Sequence, residues 1–165
     1  MEIRIAKIED LESIVEIYNQ AVLEKFATAD TDVLTLESRI DWFNNHNPEK
    51  YPIFVSCNNK KVVGWCSISP YRPGRNALRY TAEISYYIHK DFRRQGIGQQ
   101  LIAESIIYSR RINLKTLFAI VLDRNIGSIK LLEKFGFEKW GHLPNVADFK
   151  GVECGHLYYG LRIKE

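Results

Sequence analysis

A chain of 165 residues, 45% hydrophobic and 12% aromatic, is long enough to bury a real core and is expected to form one domain over 1–165. Its formal charge of +3 balances 23 basic against 20 acidic residues spread along the chain, which excludes the basic stripe of a nucleic-acid binder and makes any anion site local. No window approaches the apolar length of a membrane span, and MEIRIAKIEDLESI carries acids early without the apolar run of a signal peptide, so a soluble, cytoplasmic protein is expected.

IRIA, residues 3–6, predicts a short strand. Asp10 follows as the N-cap of a helix whose Leu11, Ile14, Val15, Ile17, Tyr18, Ala21 and Val22 recur on a 3.6-residue period. The polar stretch TADTDV leads to Thr35, Glu37, Ile40, Trp42 and Phe43, a second short helix ending near NNHNPEK. YPIFVSC, KKVVGWCSIS and LRYTAEISYYIH read as consecutive antiparallel strands, the first two joined through Asn58 and Asn59 in a hairpin turn. Between the second and third lies PYRPGRNA, too polar and too broken to continue a strand. Ile97 to Arg111 has helical spacing, KTLFAIVL is a near-continuous buried strand, and Ser128 to Phe135 is helical with Gly136 stopping it. FEKWG and GHLYYGLRI close the chain as strands. A βαβ crossover inside an otherwise antiparallel sheet predicts a mixed α/β (α+β) fold, its central sheet flanked by helices.

Three cysteines, Cys57, Cys66 and Cys154, are an odd number with no C-x-x-C pair, so buried free thiols are expected. The histidines 46, 89, 142 and 156 show no i, i+4 pair, and any catalysis is expected to need no metal.

The informative stretch is HKDFRRQGIGQQLI, residues 89–102. Gly96 and Gly98 stand where a strand ends and a helix begins, so successive main-chain N–H groups can turn outward at the helix N-terminus and cradle a pyrophosphate. Taken alone, the loop fits equally a tight strand-to-helix turn flanked by two solvated arginines. The dinucleotide fingerprint G-x-G-x-x-G fails at Leu101, and no Walker loop occurs.

Arg93, Gly96 and Gly98 do form R-x-x-G-x-G, preceded by ISYYIHKDF and followed by DRNIGSIKLLEKFGF. On these residues the sequence resembles the GCN5-related N-acetyltransferase superfamily over nearly its whole length. TADT with ESRIDWF, RYTAE and FEKWGHLP make it similar to the branch of phosphinothricin and methionine sulfoximine acetyltransferases. The resemblance implies acetyl-coenzyme A as co-substrate, with its pyrophosphate on Arg93, Arg94, Gln95, Gly96, Ile97 and Gly98 and its pantetheine arm beside Tyr86, Tyr87 and Ile88. It also implies that Asn125 and Ser128 seat the coenzyme, although an Asn N-cap for the helix near Ile126 is compatible with the same position.

Acetyl transfer to an amine needs a proton acceptor, an oxyanion donor and a proton for the leaving thiolate. Glu83 interrupts a β-rich strand where an acid is costly without a purpose, and the resemblance gives it the role of general base. A salt bridge to Arg79 is its ordinary alternative. The oxyanion donor is expected to be a main-chain N–H near Tyr87 or Ile88. Seven residues after Asn125, where the superfamily has Tyr and this branch His, the chain has Leu132; a water, Tyr86, Tyr158 or Tyr159 remain as proton donors. Arg72 and Arg75 in PYRPGRNA suit an anionic group on a small amine acceptor, and Phe26 and Trp42 either wall its pocket or belong to the core. A homodimer, with Leu157 to Leu161 as a contact, is implied by the family. A non-catalytic acyl-coenzyme A sensor is the alternative function, and a protein-modifying acetyltransferase a third.

Overall fold

The β-branched and aromatic runs become strands. In the computed structural model, which describes residues 1–164, they join one seven-stranded sheet. In chain order the elements are β1 (Glu2–Ile5), α1 (Leu11–Glu24), α2 (Ile40–Asn44), β2 (Ile53–Asn58), β3 (Lys61–Pro70), β4 (Thr81–Ile88), α3 (Ile97–Arg111), β5 (Thr116–Leu122), α4 (Ile126–Lys134), β6 (Glu138–Phe149) and β7 (Val152–Arg162). The strand order is β1-β2-β3-β4-β5-β7-β6, and each neighbouring pair is antiparallel except β4 with β5. This is the mixed, mostly antiparallel sheet expected, with α3 as the crossover that a parallel pair requires.

Each face of the sheet has its own core. On one, Ile14 and Ile17 of α1 pack with Ile53, Val55 and Trp65, and the Trp65 indole N–H donates to the Ile14 carbonyl at 3.1 Å. On the other, Ile97, Leu101, Ile102 and Ile106 of α3 pack with Ile68, Ile84 and Leu117. Each fully buried aliphatic side chain contributes about 1.5–3 kcal/mol. The three cysteines are buried free thiols, as expected.

The parallel pair matters most for function. β4 and β5 are 8 and 7 residues long, yet only Thr81–Glu83 pair with Thr116–Phe118 before the strands diverge. The direction of the main-chain groups follows from the ladder. His89 N–H donates to Val63 at 2.9 Å and Tyr71 N–H to Thr81 at 3.1 Å, whereas Tyr80 accepts from Lys115 at 2.8 Å. Odd-numbered residues of β4 therefore turn their main-chain groups to β3, and even-numbered ones to β5. Beyond Glu83 the main chain of Tyr86 and Ile88 faces an open cleft.

Several local expectations are corrected. The hairpin turns on Asn59 and Lys60, both at positive φ, with Asn58 and Lys61 paired, the backbone a two-residue turn needs. β4 starts at Thr81 rather than Leu78, because Asn76–Leu78 forms a 3-10 turn. α4 begins at Ile126, the start that an Asn125 N-cap implies and two residues before the Ser128 given by the apolar spacing. β6 runs through Leu143, Pro144 and Val146 to Phe149, well past FEKWG; it is an edge strand, where a proline removes no ladder bond, and its register shifts between Leu143 and Ala147. Asp10 precedes α1, but its carboxylate makes no cap bond to that helix. It accepts two bonds from the Arg4 guanidinium, 2.7 and 2.9 Å, and one from Lys7 N–H at 2.8 Å.

That arrangement ties β1 to the start of α1. Burial works to raise the Asp10 pKa, but the Arg4 and Lys7 hydrogen bonds together outweigh it and the carboxyl lies below its ordinary 3.8. A depressed pKa contributes stability above the unfolded-state value, lost as pH falls through the folded one. Asp10→Asn is expected to cost about 2 kcal/mol in denaturant titration at pH 7, with the deficit shrinking as the pH drops below the ordinary aspartate range.

Candidate active site

Where β4 and β5 separate, a cleft of about 780 Å³ opens, within the range of about 300–1,000 Å³ common for ligand pockets. Ile84 to Ile88 form one wall and Ala119 to Val121 the other; the 93–98 turn and the start of α4 close one end. The turn has Arg94 at φ 60 and Gly96 at φ 80, left-handed conformations that aim successive N–H groups to one side. A Cβ at Gly96 would meet nothing within 4 Å, so glycine is required there by its φ. A Cβ at Gly98 would lie 3.0 Å from Leu131 Cδ2, so glycine there lets α4 approach α3. The first N–H groups of α3, those of Ile97, Gly98 and Gln99, have no intrahelical acceptor.

Tyr86, Tyr87, Ile88, Arg93, Arg94, Gly96, Ile97, Gly98, Asn125 and Ser128 all line this cleft, while Gln95 is exposed on the turn and does not. Arg93 is tied to α1 by an ion pair with Glu24 at 2.7 Å. Arg124, which sequence reasoning did not single out, also lines the cleft and stacks 5.0 Å over the Phe26 ring. Phe26 itself packs on Phe149 and lines the cleft, so wall and core roles coincide. Asn125 caps α4, its Oδ1 accepting from Ser128 N–H at 3.3 Å, and its Nδ2 makes no bond among the described residues. Leu132 is wholly buried in the core. Of the three tyrosines weighed as proton donors, only Tyr86 reaches the cleft; Tyr159 donates to Glu133 at 3.0 Å and Tyr158 packs on Phe118. The buried Tyr86 hydroxyl makes no hydrogen bond of normal geometry among the described residues. Burial, partly opposed by neighbouring Ser128, raises its pKa and keeps it protonated.

A second cavity, about 170 Å³, lies on the α1 face of β4, bounded by Tyr18, Arg39, Trp42, Trp65 and Glu83. Ser85 and Tyr87 line both cavities, so the two meet across β4. Glu83 makes no hydrogen bond or ion pair among the described residues. Arg79 instead donates to the Asn76 carbonyl at 3.0 Å and stacks on Tyr80. Burial alone raises the Glu83 pKa above its ordinary value, and burial likewise pushes the Tyr87 phenol up to about 12. Arg72 and Arg75 are exposed and line neither cavity.

Residues 11–137 match the Acetyltransferase (GNAT) family. The chain belongs to that family. YwnH of Bacillus subtilis (strain 168) is 37% identical over 152 residues, 92% of each chain. The L-methionine sulfoximine/L-methionine sulfone acetyltransferase of Salmonella typhimurium is 32% identical over 94% of this chain and 88% of its own. A GNAT superfamily phosphinothricin acetyltransferase from Sinorhizobium meliloti, solved in complex with AcCoA, superposes with a TM-score of 0.92 at 26% identity, covering 98% of this chain and 87% of that one. This GNAT enzyme is an N-acetyltransferase that uses acetyl-coenzyme A.

The cleft suits that co-substrate. It offers unpartnered N–H groups at a helix N-terminus for a pyrophosphate, unpaired β4 main chain for the amides of a pantetheine arm, and an orphaned buried hydroxyl in between. An Asp at 125 retains the cap acceptor but loses the free amide donor. Asn125→Asp is therefore expected to leave the melting temperature within about 2 °C and to raise the KM for acetyl-coenzyme A about tenfold, a 1.4 kcal/mol loss. An unchanged KM would reduce Asn125 to a helix cap.

Proposed function

We propose that this acetyltransferase acetylates the primary amine of a small amino-acid-like acceptor of the phosphinothricin or methionine sulfoximine type, with Glu83 as the general base. The observation that carries the reading is the unpaired Glu83 in a small cavity that shares Ser85 and Tyr87 with the coenzyme cleft. The Salmonella relative, named for methionine sulfoximine, supports the acceptor class.

Acetyl-coenzyme A supplies the thioester carbonyl. Glu83, once ionised, takes a proton from the acceptor's ammonium group, directly or through a water, and its raised pKa makes it a better base than an exposed carboxylate. The neutral nitrogen then attacks the carbonyl carbon and gives up its second proton to solvent. Of the two main-chain donors expected for the oxyanion, Ile88 N–H has the parity that faces the cleft, while Tyr87 turns to β3. As the C–S bond breaks, the Tyr86 hydroxyl gives its proton to the sulfur in the place where Leu132 has none to give. The proton held by Glu83 leaves to solvent and Tyr86 regains one from it, so the cycle closes on amide, thiol, one released proton and unchanged enzyme.

The reading includes a homodimer. Leu157 and Tyr159 are buried in β7, an interior strand, and exposed Trp140, Leu143 and Val146 on edge strand β6 are the better contact. Light scattering is expected to give a mass near twice 19.2 kDa, dropping to one copy in Trp140→Asp.

Thiol release from acetyl-coenzyme A with methionine sulfoximine and phosphinothricin tests the chemistry. Glu83→Gln is expected to lower kcat about a hundredfold with coenzyme binding intact, and equal rates would remove Glu83 from the mechanism. In the wild type, activity rises with pH through the Glu83 pKa, so the acid limb lies above the ordinary carboxylate value of 4.5. A raised folded-state pKa means that stability is lost as pH rises through it. Glu83→Gln is thus expected to melt at or above the wild-type temperature at pH 8, the two converging in acid.

A further inference from the structure

The acceptor cavity holds a second charged group that the chemistry above leaves unused. Arg39 is the last residue of the 3-10 turn Glu37–Arg39 and immediately precedes α2, and its guanidinium lies 3.9 Å over the Trp42 ring and 5.6 Å from that of Tyr18. It donates no hydrogen bond and forms no ion pair among the described residues. The nearby carboxylate, Asp30, accepts from the Tyr18 hydroxyl instead. Burial works against its charge strongly enough to lower its pKa, although a guanidinium stays protonated. The guanidinium is half-buried at the cavity wall, and its five donors, met by no protein acceptor among the described residues, are placed to receive an anion. Its planar fork, fixed on an indole, suits a bidentate oxyanion.

We infer that Arg39 is the residue that binds the acceptor's carboxylate, in the cavity where Glu83 meets its amine. The inference rests on the acceptor site proposed above and deepens it. One acid and one base line the cavity, and an α-amino acid presents the complementary pair, an amine and a carboxylate on one carbon. About 170 Å³ corresponds to roughly six water volumes of about 30 Å³, room for such a head group with its side chain directed outward. Amines without the carboxylate, such as amino-acid amides and alkylamines, leave the guanidinium unpaired and are poor acceptors. Arg72 and Arg75, exposed and outside the cavity, do not carry this selectivity.

The test compares methionine sulfoximine with its carboxamide as acceptors of the full-length enzyme. Wild type is expected to favour the carboxylate by about a hundredfold in kcat/KM, the scale for leaving a buried polar group unpaired. Arg39→Met, which retains an unbranched side chain over Trp42, is expected to erase that preference, acting on the KM for the carboxylate acceptor and leaving the KM for acetyl-coenzyme A unchanged. Arg39→Lys is expected to recover part of it. Equal losses for both acceptors would make Arg39 a wall of the cavity and overturn the inference, as would a preference that disappears with Arg72 and Arg75 instead. Calorimetric titration with methionine sulfoximine separates the two proposals. Binding abolished by Arg39→Met supports the subsite even if no acceptor is turned over, whereas binding unaffected by the substitution, or absent from wild type, refutes it.

Discussion

Main-chain hydrogen bonding between the parallel strands β4 and β5 stops after Glu83 and Phe118. The chain continues on both sides, so two strands leave the same point at an angle and the edges between them are unpaired. A buried main-chain group without a partner costs about 1–3 kcal/mol. An extended ligand carrying its own amides relieves that cost, and a pantetheine arm has this form. The α3 crossover that makes the pair parallel also brings its own N-terminus to the mouth of the gap. The strand opening and the pyrophosphate cradle are thus consequences of one connection.

The pleat of β4 then divides the labour. Glu83, Ser85 and Tyr87 point to the face covered by α1 and α2, where the smaller cavity lies, while Ile84, Tyr86 and Ile88 point to the α3 face. Their main-chain groups alternate in the plane of the sheet in the same rhythm. In the proposed mechanism, base, oxyanion donor and proton donor accordingly come from one strand, with period two alone keeping them apart.

Much of this was legible because it is local. The R-x-x-G-x-G turn, the strand before it and the Asn N-cap depend on near neighbours, and the structure places all three at one cleft. The reach of β6 through Pro144 was not legible, since its tolerance comes from lying at a sheet edge. The partner of Asp10 was hidden for the same reason: the helix-capping reading was reasonable locally, but Arg4 approaches from the neighbouring strand. Arg39 was the harder omission. Its three-residue spacing from Trp42 was a usable hint, but the missing counter-ion is a property of the assembled cavity. Arg72 and Arg75 stand in a loop made conspicuous in the sequence by its prolines and glycine, yet the fold leaves both in solvent.

Leu132 bears on what a side chain at this point of α4 can do. It has no accessible surface and shares its core with Leu101, Leu117 and Phe137. A phenol there must overpack that core, at about 1–3 kcal/mol, and a phenol or an imidazole alike must find a buried partner for its polar atom. Position 132 is therefore committed to packing. Tyr86, by contrast, brings a hydroxyl to the cleft wall without disturbing that interior.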